Sequence, residues 1–292
     1  MNLTPPKRFY RWQPAAVLRV SGDDSLTFLQ GQFTNDLQQA GNASAVYGLW
    51  LNQKGKVLAD SFVRKVSASE AWIVSYFSPA SAIRERLEAY VIADDVVIED
   101  VTAAMTAVAL AGEVTPAELV LSDSAWAFRG RREREVHTEI IFPVGEAVAL
   151  DDRLRGGTAL GAEDMERRRI AAGIPAVPKD IGPGDLPNEG GLEAEAISYT
   201  KGCYLGQEVM ARLKSMGQVR RRLLKVRGTG EIPPRPASLF QGDRRVGELR
   251  SAVRDGAAWT GLAMISLLQL RREEGLSFEA GGAAVVNFSD PA

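Results

Sequence analysis

The sequence has one cysteine, Cys203, and one histidine, His137. A lone cysteine excludes an internal disulfide, and the pair leaves no CxxC, HExxH or Cys/His cluster from which this chain alone could build a zinc site. An excess of charge is missing too: 35 Lys and Arg stand against 37 Asp and Glu, a net charge of −2. No global positive field therefore draws the chain to nucleic acid or an anionic membrane, and any such contact must be local. No stretch approaches the roughly 18 apolar residues of a spanning helix, and Met1 to Val17 holds no apolar run behind a basic segment. The expectation is a soluble, cytoplasmic protein with no membrane partner. Ser-His-Asp hydrolysis would depend on His137, whose charge-dense neighbourhood, Arg131 to Glu139, reads instead as a solvated strand.

What is present is the balance of a folded protein. Of 292 residues, 45% are apolar and 25% charged, and the length fits two domains or three small modules. Ala16 to Val20 predicts a buried strand. Gly22, Asp23 and Asp24 then supply a turn and helix cap before Leu26, Leu29, Phe33 and Leu37, which share a helical face. Val46 to Leu51 and Val57 to Val66 flank the Gly-bearing turn Asn52-Gln53-Lys54-Gly55-Lys56, which predicts a hairpin, and Ala71 to Phe77 follows as a strand. Ser78-Pro79 opens a helix through Ile83, Leu87 and Tyr90, and Asp95 to Val101 returns as strand. The order β-α-β-β-β-α-β is a split βαβ unit with one extra strand.

A looser copy follows. Ala107 to Leu110 predicts a strand, Thr115-Pro116 a helix start, Trp126 and Val136 to Phe142 further strands, and Glu163 to Ala172 a helix ended by Gly173. Ile174 to Gly191 is rich in proline and glycine, a long connection of the kind that spans domains or serves a site. Beyond Gly217, short strands near Arg222 to Arg227, Arg245 to Val253, Ala258 to Ile265 and Ala284 to Phe288 predict a small barrel or sandwich.

Special residues are densest in Lys201-Gly202-Cys203-Tyr204-Leu205-Gly206-Gln207-Glu208. Leu205, Val209, Leu213 and Met216 continue as an amphipathic helix that Gly217 can end, so Cys203 is expected at or just before a helix N-terminus. There the helix dipole and the nearby Lys201 favour a thiolate. Cys203 and Gln207 would share a face, and Glu208 and Arg212 would pair. The alternative is a small buried Cys203 among glycines that only relieve packing. Lone thiolates serve as nucleophiles, redox sensors or single cluster ligands, and spacing does not choose among these.

The segment resembles the signature of the YgfZ family of folate-binding proteins, relatives of the glycine-cleavage T-protein that act in iron-sulfur cluster assembly or repair and in tRNA modification. Phe28 to Asp36, Leu51 to Asp60, Ala172 to Pro175, Val246 to Ala252 and Gly261 to Ala263 extend the resemblance in order along most of the chain. It implies an α+β fold of two ferredoxin-like (split βαβ) domains and a C-terminal β-barrel, ringed around a folate-binding hole. The corresponding bounds are 1–101 for the first domain, with part of 192–217 able to pack back onto it, 102–217 for the second, with the signature 201–208, and 218–292 for the barrel.

Two departures from the T-protein stand out. The first Asp of its hairpin pair, the catalytic acid, falls at Ala59, leaving only Asp60, and a methyl group cannot exchange a proton. The glutamate that anchors its pterin falls at Ala171. The expected function is therefore a folate-binding accessory factor for iron-sulfur cluster assembly or repair, supporting iron-sulfur tRNA-modifying enzymes. Cys203 would be the functional thiol and Lys201 its charge partner. Tetrahydrofolate or another folate is the expected cofactor, with no metal site. Candidate contacts are Gln30, Gln32, Asn35, Asp36, Asn52, Asp60, Tyr204, Gln207 and Glu208. The amide and carboxylate groups on α-helical and turn positions match the donor and acceptor edge of a pterin, or else cap and turn the chain locally. The alternative function is a tetrahydrofolate-dependent aminomethyl or one-carbon transferase with Asp60 as a shifted acid. Partners are iron-sulfur client enzymes or assembly proteins. Arg129 to Arg134, Arg167 to Arg169 and Arg220 to Arg222 could reach tRNA phosphates or a folate tail, or form solvated faces beside Glu133, Glu135 and Glu166. Trp12, Trp50 and Trp72 read as core before stacking platforms.

Overall fold

A computed structural model describes residues 8–38, 45–217, 219–268, 270–271 and 273–289. The first strand, β1 (Arg8–Trp12), skips its sequence neighbours and joins a later sheet. The next elements are β2 (Ala16–Ser21), α1 (Ser25–Gln32), β3 (Ala45–Leu51), β4 (Val57–Lys65), β5 (Glu70–Ser75), α2 (Ala80–Glu88) and β6 (Val97–Asp100), the expected β-α-β-β-β-α-β order. Their strands form an antiparallel sheet, β3-β4-β5-β2-β6. Strand alternation sends Leu18, Val20, Val63 and Ile73 to the face covered by Leu29 of α1 and by Ile83 and Leu87 of α2. Val17, Tyr47, Leu49, Phe62 and Val74 point the other way. Asp24 is the residue before α1, as expected, but its carboxylate accepts the amide of Asp95 at 2.8 Å instead of capping the helix.

The second sheet collects β1, β7 (Met105–Ala111), β8 (Trp126–Arg129), β9 (His137–Pro143) and β10 (Thr158–Ala159) in the order β10-β1-β7-β9-β8. α3 (Ala147–Leu154) covers its outer face through Leu150 and Leu154. Its inner face, with Ala107, Trp126, Phe128 and Ile141, packs on the first sheet, and the rings of Phe62 and Phe128 lie 4.4 Å apart. A phenylalanine or isoleucine fully buried there contributes about 1.5–3 kcal/mol. The helix expected at Thr115-Pro116 is a single 3₁₀ turn, Pro116–Leu119, because Val120 after it takes a left-handed conformation, φ 55°.

α4 (Ala162–Ala172) ends at Gly173, as expected, and the 174–191 connection leads to α5 (Glu193–Ala196) and α6 (Gln207–Met216). The last module is an antiparallel sheet of β11 (Arg221–Thr229), β12 (Ala237–Gln241), β13 (Arg244–Asp255), β14 (Ala258–Ser266) and β15 (Val286–Ser289), in the order β12-β13-β14-β11-β15. It curls: Phe240 of the one edge strand bridges to Ser277, and Leu276 bridges to Val286 of the other. β12 was not expected from the sequence, since only five residues separate Pro236 from the turn at Gly242. Ile170 on α4 packs between Val253 and Leu262, fixing the α/β layers to this curled sheet. Among the described residues no helix is long and apolar enough to cross a membrane.

Candidate functional site

Residues 195–205 lie along the end of α1. The Ser198 amide donates to the Thr34 carbonyl and the Leu205 amide to that of Gly31. Thr34 Oγ1 donates to the Ala196 carbonyl at 2.6 Å, and Asn35 Nδ2 donates to the carbonyls of Glu195 and Tyr47. Lys201 is buried, and its Nζ donates to the carbonyls of Gln30, Phe33 and Asn35 at 2.6, 2.8 and 2.9 Å. These groups gather at the C-terminal end of α1, where carbonyls lack helical partners and the dipole favours a cation. Burial lowers the Lys201 ammonium from 10.5 to about 8, against the attraction of Asp36. All three of its donors serve α1.

Cys203 is exposed. It does not share a helical face with Gln207, contrary to expectation: α6 begins at Gln207, and Gly206 before it turns the chain at φ 89°. Cys203 therefore lies outside the first turn, where a helix dipole acts. The turn is required by packing as well. A Cβ on Gly206 would sit 3.1 Å from the Asn52 carbonyl oxygen, and one on Gly55, itself at φ 69°, would sit 2.9 Å from Val209 and Met210. α6 is thus seated on the hairpin turn, and the two glycine-bearing motifs are one contact. Tyr204 is buried with its hydroxyl unpartnered, and burial pushes that hydroxyl up to about 12. Gln207 is half-buried; Glu208 is exposed and reaches Arg212 at 3.5 Å, the expected pair.

The remaining candidates tie the chain to itself. Gln30 donates to Asp36 and accepts the Leu37 amide, both at 2.9 Å, while Asp36 accepts the Gln38 amide. Gln32 accepts from Arg86 at 2.9 Å. Asn52 Oδ1 accepts the amides of Lys54 and Lys56, which makes the turn. Ala59 faces the helix-covered side of its sheet, so strand alternation turns Asp60 toward the opposite sheet. Asp60 is buried and accepts from Tyr47, Ser75 and Ser78 at 3.0, 3.1 and 2.9 Å. Burial raises its carboxyl above 3.8, opposed by the Ser78 hydroxyl and the Arg131 charge. Trp12 and Trp50 are core, bonded to Glu139 and Ser61; Trp72 is half-buried, bonded to Glu70.

The expected solvated strand around His137 is a buried polar network. Glu139, fully buried, accepts from Trp12 at 2.7 Å, Arg132 at 2.8 Å and Tyr76 at 3.0 Å. The Arg132 guanidinium lies 3.8 Å from the Tyr76 ring centre and 4.2 Å from that of Trp12, with Nη2 left unpartnered. His137 is also buried. Its Nε2 accepts the Arg132 amide at 3.2 Å, which fits a neutral ring, while Glu139 at 3.6 Å draws a proton onto it. Burial opposes that charge, and the pull of Glu139 nonetheless raises the imidazole above 6.5. Arg132 lines a cavity of about 400 Å³ where all three modules meet, with Tyr10, Phe77, Met165, Lys179 and Arg235. A carboxylate beside Ile140-Ile141-Phe142 in one strand was the readable sign of this network. Ala171 lines a different opening, with Lys225 and Phe288. The arginine clusters are solvated only in part: Arg129, Arg134 and Arg220 are exposed, and Arg168 pairs with Glu133 as expected of a charged face, but Arg169 is buried on Asp180 at 2.6 Å and Arg221 holds Asp185 and Glu189.

Comparison with known proteins agrees with this architecture. Residues 13–124 match the GCVT N-terminal domain, and residues 220–291 match the C-terminal beta-barrel domain of CAF17. The chain is 28% identical to the mitochondrial iron-sulfur cluster assembly factor IBA57 of Mus musculus over 278 residues, covering 88% of this chain and 76% of that protein. It is 29% identical to the tRNA-modifying protein YgfZ of Klebsiella pneumoniae (strain 342) over 260 residues, covering 82% and 78%. Glycine cleavage system aminomethyltransferase T from Bartonella henselae superposes with a TM-score of 0.77 at 17% identity, over 93% of this chain and 81% of that one. At that identity the likeness is one of fold.

Proposed function

From a chain that joins a GCVT N-terminal domain to a CAF17-type barrel and is homologous to IBA57 and YgfZ, we propose an accessory protein of iron-sulfur cluster assembly. It serves iron-sulfur enzymes, tRNA-modifying ones among them, through the thiol of Cys203. The observation that carries this reading is the division of labour within 201–208. Lys201 holds the end of α1, Tyr204 fills the core, Gly206 turns the chain and Glu208 pairs with Arg212, while Cys203 stands exposed. Thiolates are the protein ligands of iron-sulfur clusters, commonly four to a cluster. With one cysteine, this chain supplies one such ligand at most, so the cluster is cargo whose other ligands belong to a partner protein.

A folate is the proposed small-molecule ligand, in the cavity at the three-module junction. The fit rests on Arg132: its buried, unpartnered Nη2 calls for an acceptor. Tyr10 and Phe77 offer flat walls to a heterocycle, and Arg235 offers charge to a carboxylate tail, while Lys179 is paired with Glu166 on the same wall. A reduced folate carries one-carbon units when bound; the chain's own residues bind and orient it. One-carbon transfer with Asp60 as acid is less favoured, since both Asp60 oxygens already accept hydroxyls.

The test is rescue of cluster-dependent enzyme activity by Cys203→Ala in a strain lacking the native gene. The expected result is loss of rescue at unchanged protein level, and full rescue would remove the thiol from the mechanism. Tetrahydrofolate titration of the wild type and of Arg235→Met, on the exposed rim, tests the ligand: binding weakened by the substitution supports the cavity, and no binding by the wild type contradicts it.

A further inference from the structure

Many arginines here are paired, as Arg131 is with Glu195, Arg132 with Glu139, Arg168 with Glu133 and Arg221 with Glu189, while Arg220 and Arg227 are exposed to solvent. Arg134, Arg222 and Lys225 differ. They line one cleft of about 180 Å³ with Gly173, Gly190 and Gly191, and no carboxylate lines it with them. Among the described residues none of the three side chains makes a hydrogen bond or ion pair, and Arg222 and Lys225 are half-buried. Three converging cations without an anion leave a concentrated positive field that water alone screens. Guanidinium and ammonium donors in this grouping match the oxygens of a phosphate.

Arg222 also lines a second cleft of about 340 Å³, with Asn188, Glu193, Tyr199 and Lys214. Unlike the first cleft it holds a carboxylate, Glu193, beside the cations Lys214 and Arg222. Glu193 Oε2 is shielded from water and has no donor among the described residues, which leaves a buried acceptor unsatisfied. The Lys214 ammonium does not fill that role and lies instead 4.3 Å from the centre of the Tyr199 ring.

We propose that the two clefts form one nucleotide site, with the phosphate among Arg134, Arg222 and Lys225 and an N–H-bearing base donating to Glu193. Arg222 is the element common to both halves. The site is separate from the folate cavity and does not depend on it. A free nucleotide and a nucleotide within single-stranded RNA share this chemistry, and the experiment separates them.

The full chain is titrated with inorganic phosphate, with guanosine monophosphate and with a short single-stranded RNA, at two ionic strengths. Arg222→Gln with Lys225→Gln breaks no existing pair, so melting stays unchanged while binding of the bound probe falls at least about tenfold, the loss of about 1.4 kcal/mol. Glu193→Gln weakens guanosine monophosphate and leaves inorganic phosphate unaffected. Tight, salt-steep RNA binding, with a slope reduced by about 1.4 in the double variant, identifies RNA as the source. Guanosine monophosphate binding as well as RNA identifies a free nucleotide. No binding of either, or binding indifferent to the double variant, overturns the site. Tetrahydrofolate binding is expected to be unchanged in these variants, so failure here leaves the cavity reading intact.

Discussion

The loop over α1 and the junction around Glu139 use buried charge in opposite ways. At the loop, one buried cation, Lys201, is matched to three carbonyls and leaves a thiol standing outside. At the junction, Arg132 and Glu139 are enclosed by Trp12, Tyr76 and His137, and one guanidinium nitrogen faces no partner. The first arrangement is complete in itself and leaves a thiol exposed. The second is incomplete and lines a cavity. Under the proposed function the loop acts on a partner outside the molecule, and the junction on a ligand that enters it.

The comparison predicts its own breaking points. Glu139→Leu removes the anion from beneath Arg132 and is expected to cost about 3–5 kcal/mol, read from the urea midpoint. A smaller loss would mean the guanidinium finds other partners. Next comes acid. Burial alone would raise the Glu166 carboxyl, but Arg169 and then Lys179 hold it at about 2, below its ordinary 4.5. A depressed folded value gives stability that is complete above pH 4.5 and lost as pH falls through about 2, roughly 3 kcal/mol for this group. Glu166→Gln should flatten that part of the pH–stability curve, and an unchanged slope would contradict it.

Lys201→Met strands the end of α1 and is expected to cost about 2 kcal/mol. Because the loop is hung on those carbonyls, faster proteolysis within 195–206 should accompany the loss. The smallest effect belongs to Cys203→Ala, under about 0.5 kcal/mol, as for an exposed side chain without structural partners. A loss above 1 kcal/mol, by about the same surface rule, would place the thiol in the framework.

The first sheet was legible because its apolar alternation and turn residues are local: Val57 to Val66 and the Asn52 to Lys56 turn read the same in sequence and structure. The site was legible only in part. Within the motif Lys201 and Cys203, two residues apart, are placed differently, because Lys201 finds its partners at positions 30–35 while Cys203 is exposed. No spacing rule shows a contact across that sequence distance. Gly206 hid in the same way: an amphipathic pattern runs through it, and only its close approach to Asn52 shows why the helix starts late. Arg132 and Glu139 read as a polar stretch since periodicity does not reveal that a second sheet covers them. β1 escaped for a related reason, pairing with β7 from far along the chain.

The account stands on Cys203 being presented by a loop otherwise occupied with holding itself down. Alkylation by iodoacetamide tests it directly, with the folded protein and the urea-unfolded chain compared at one pH. Comparable labelling rates in the two states are predicted. Strong protection of the folded state, released only on global unfolding, would contradict it.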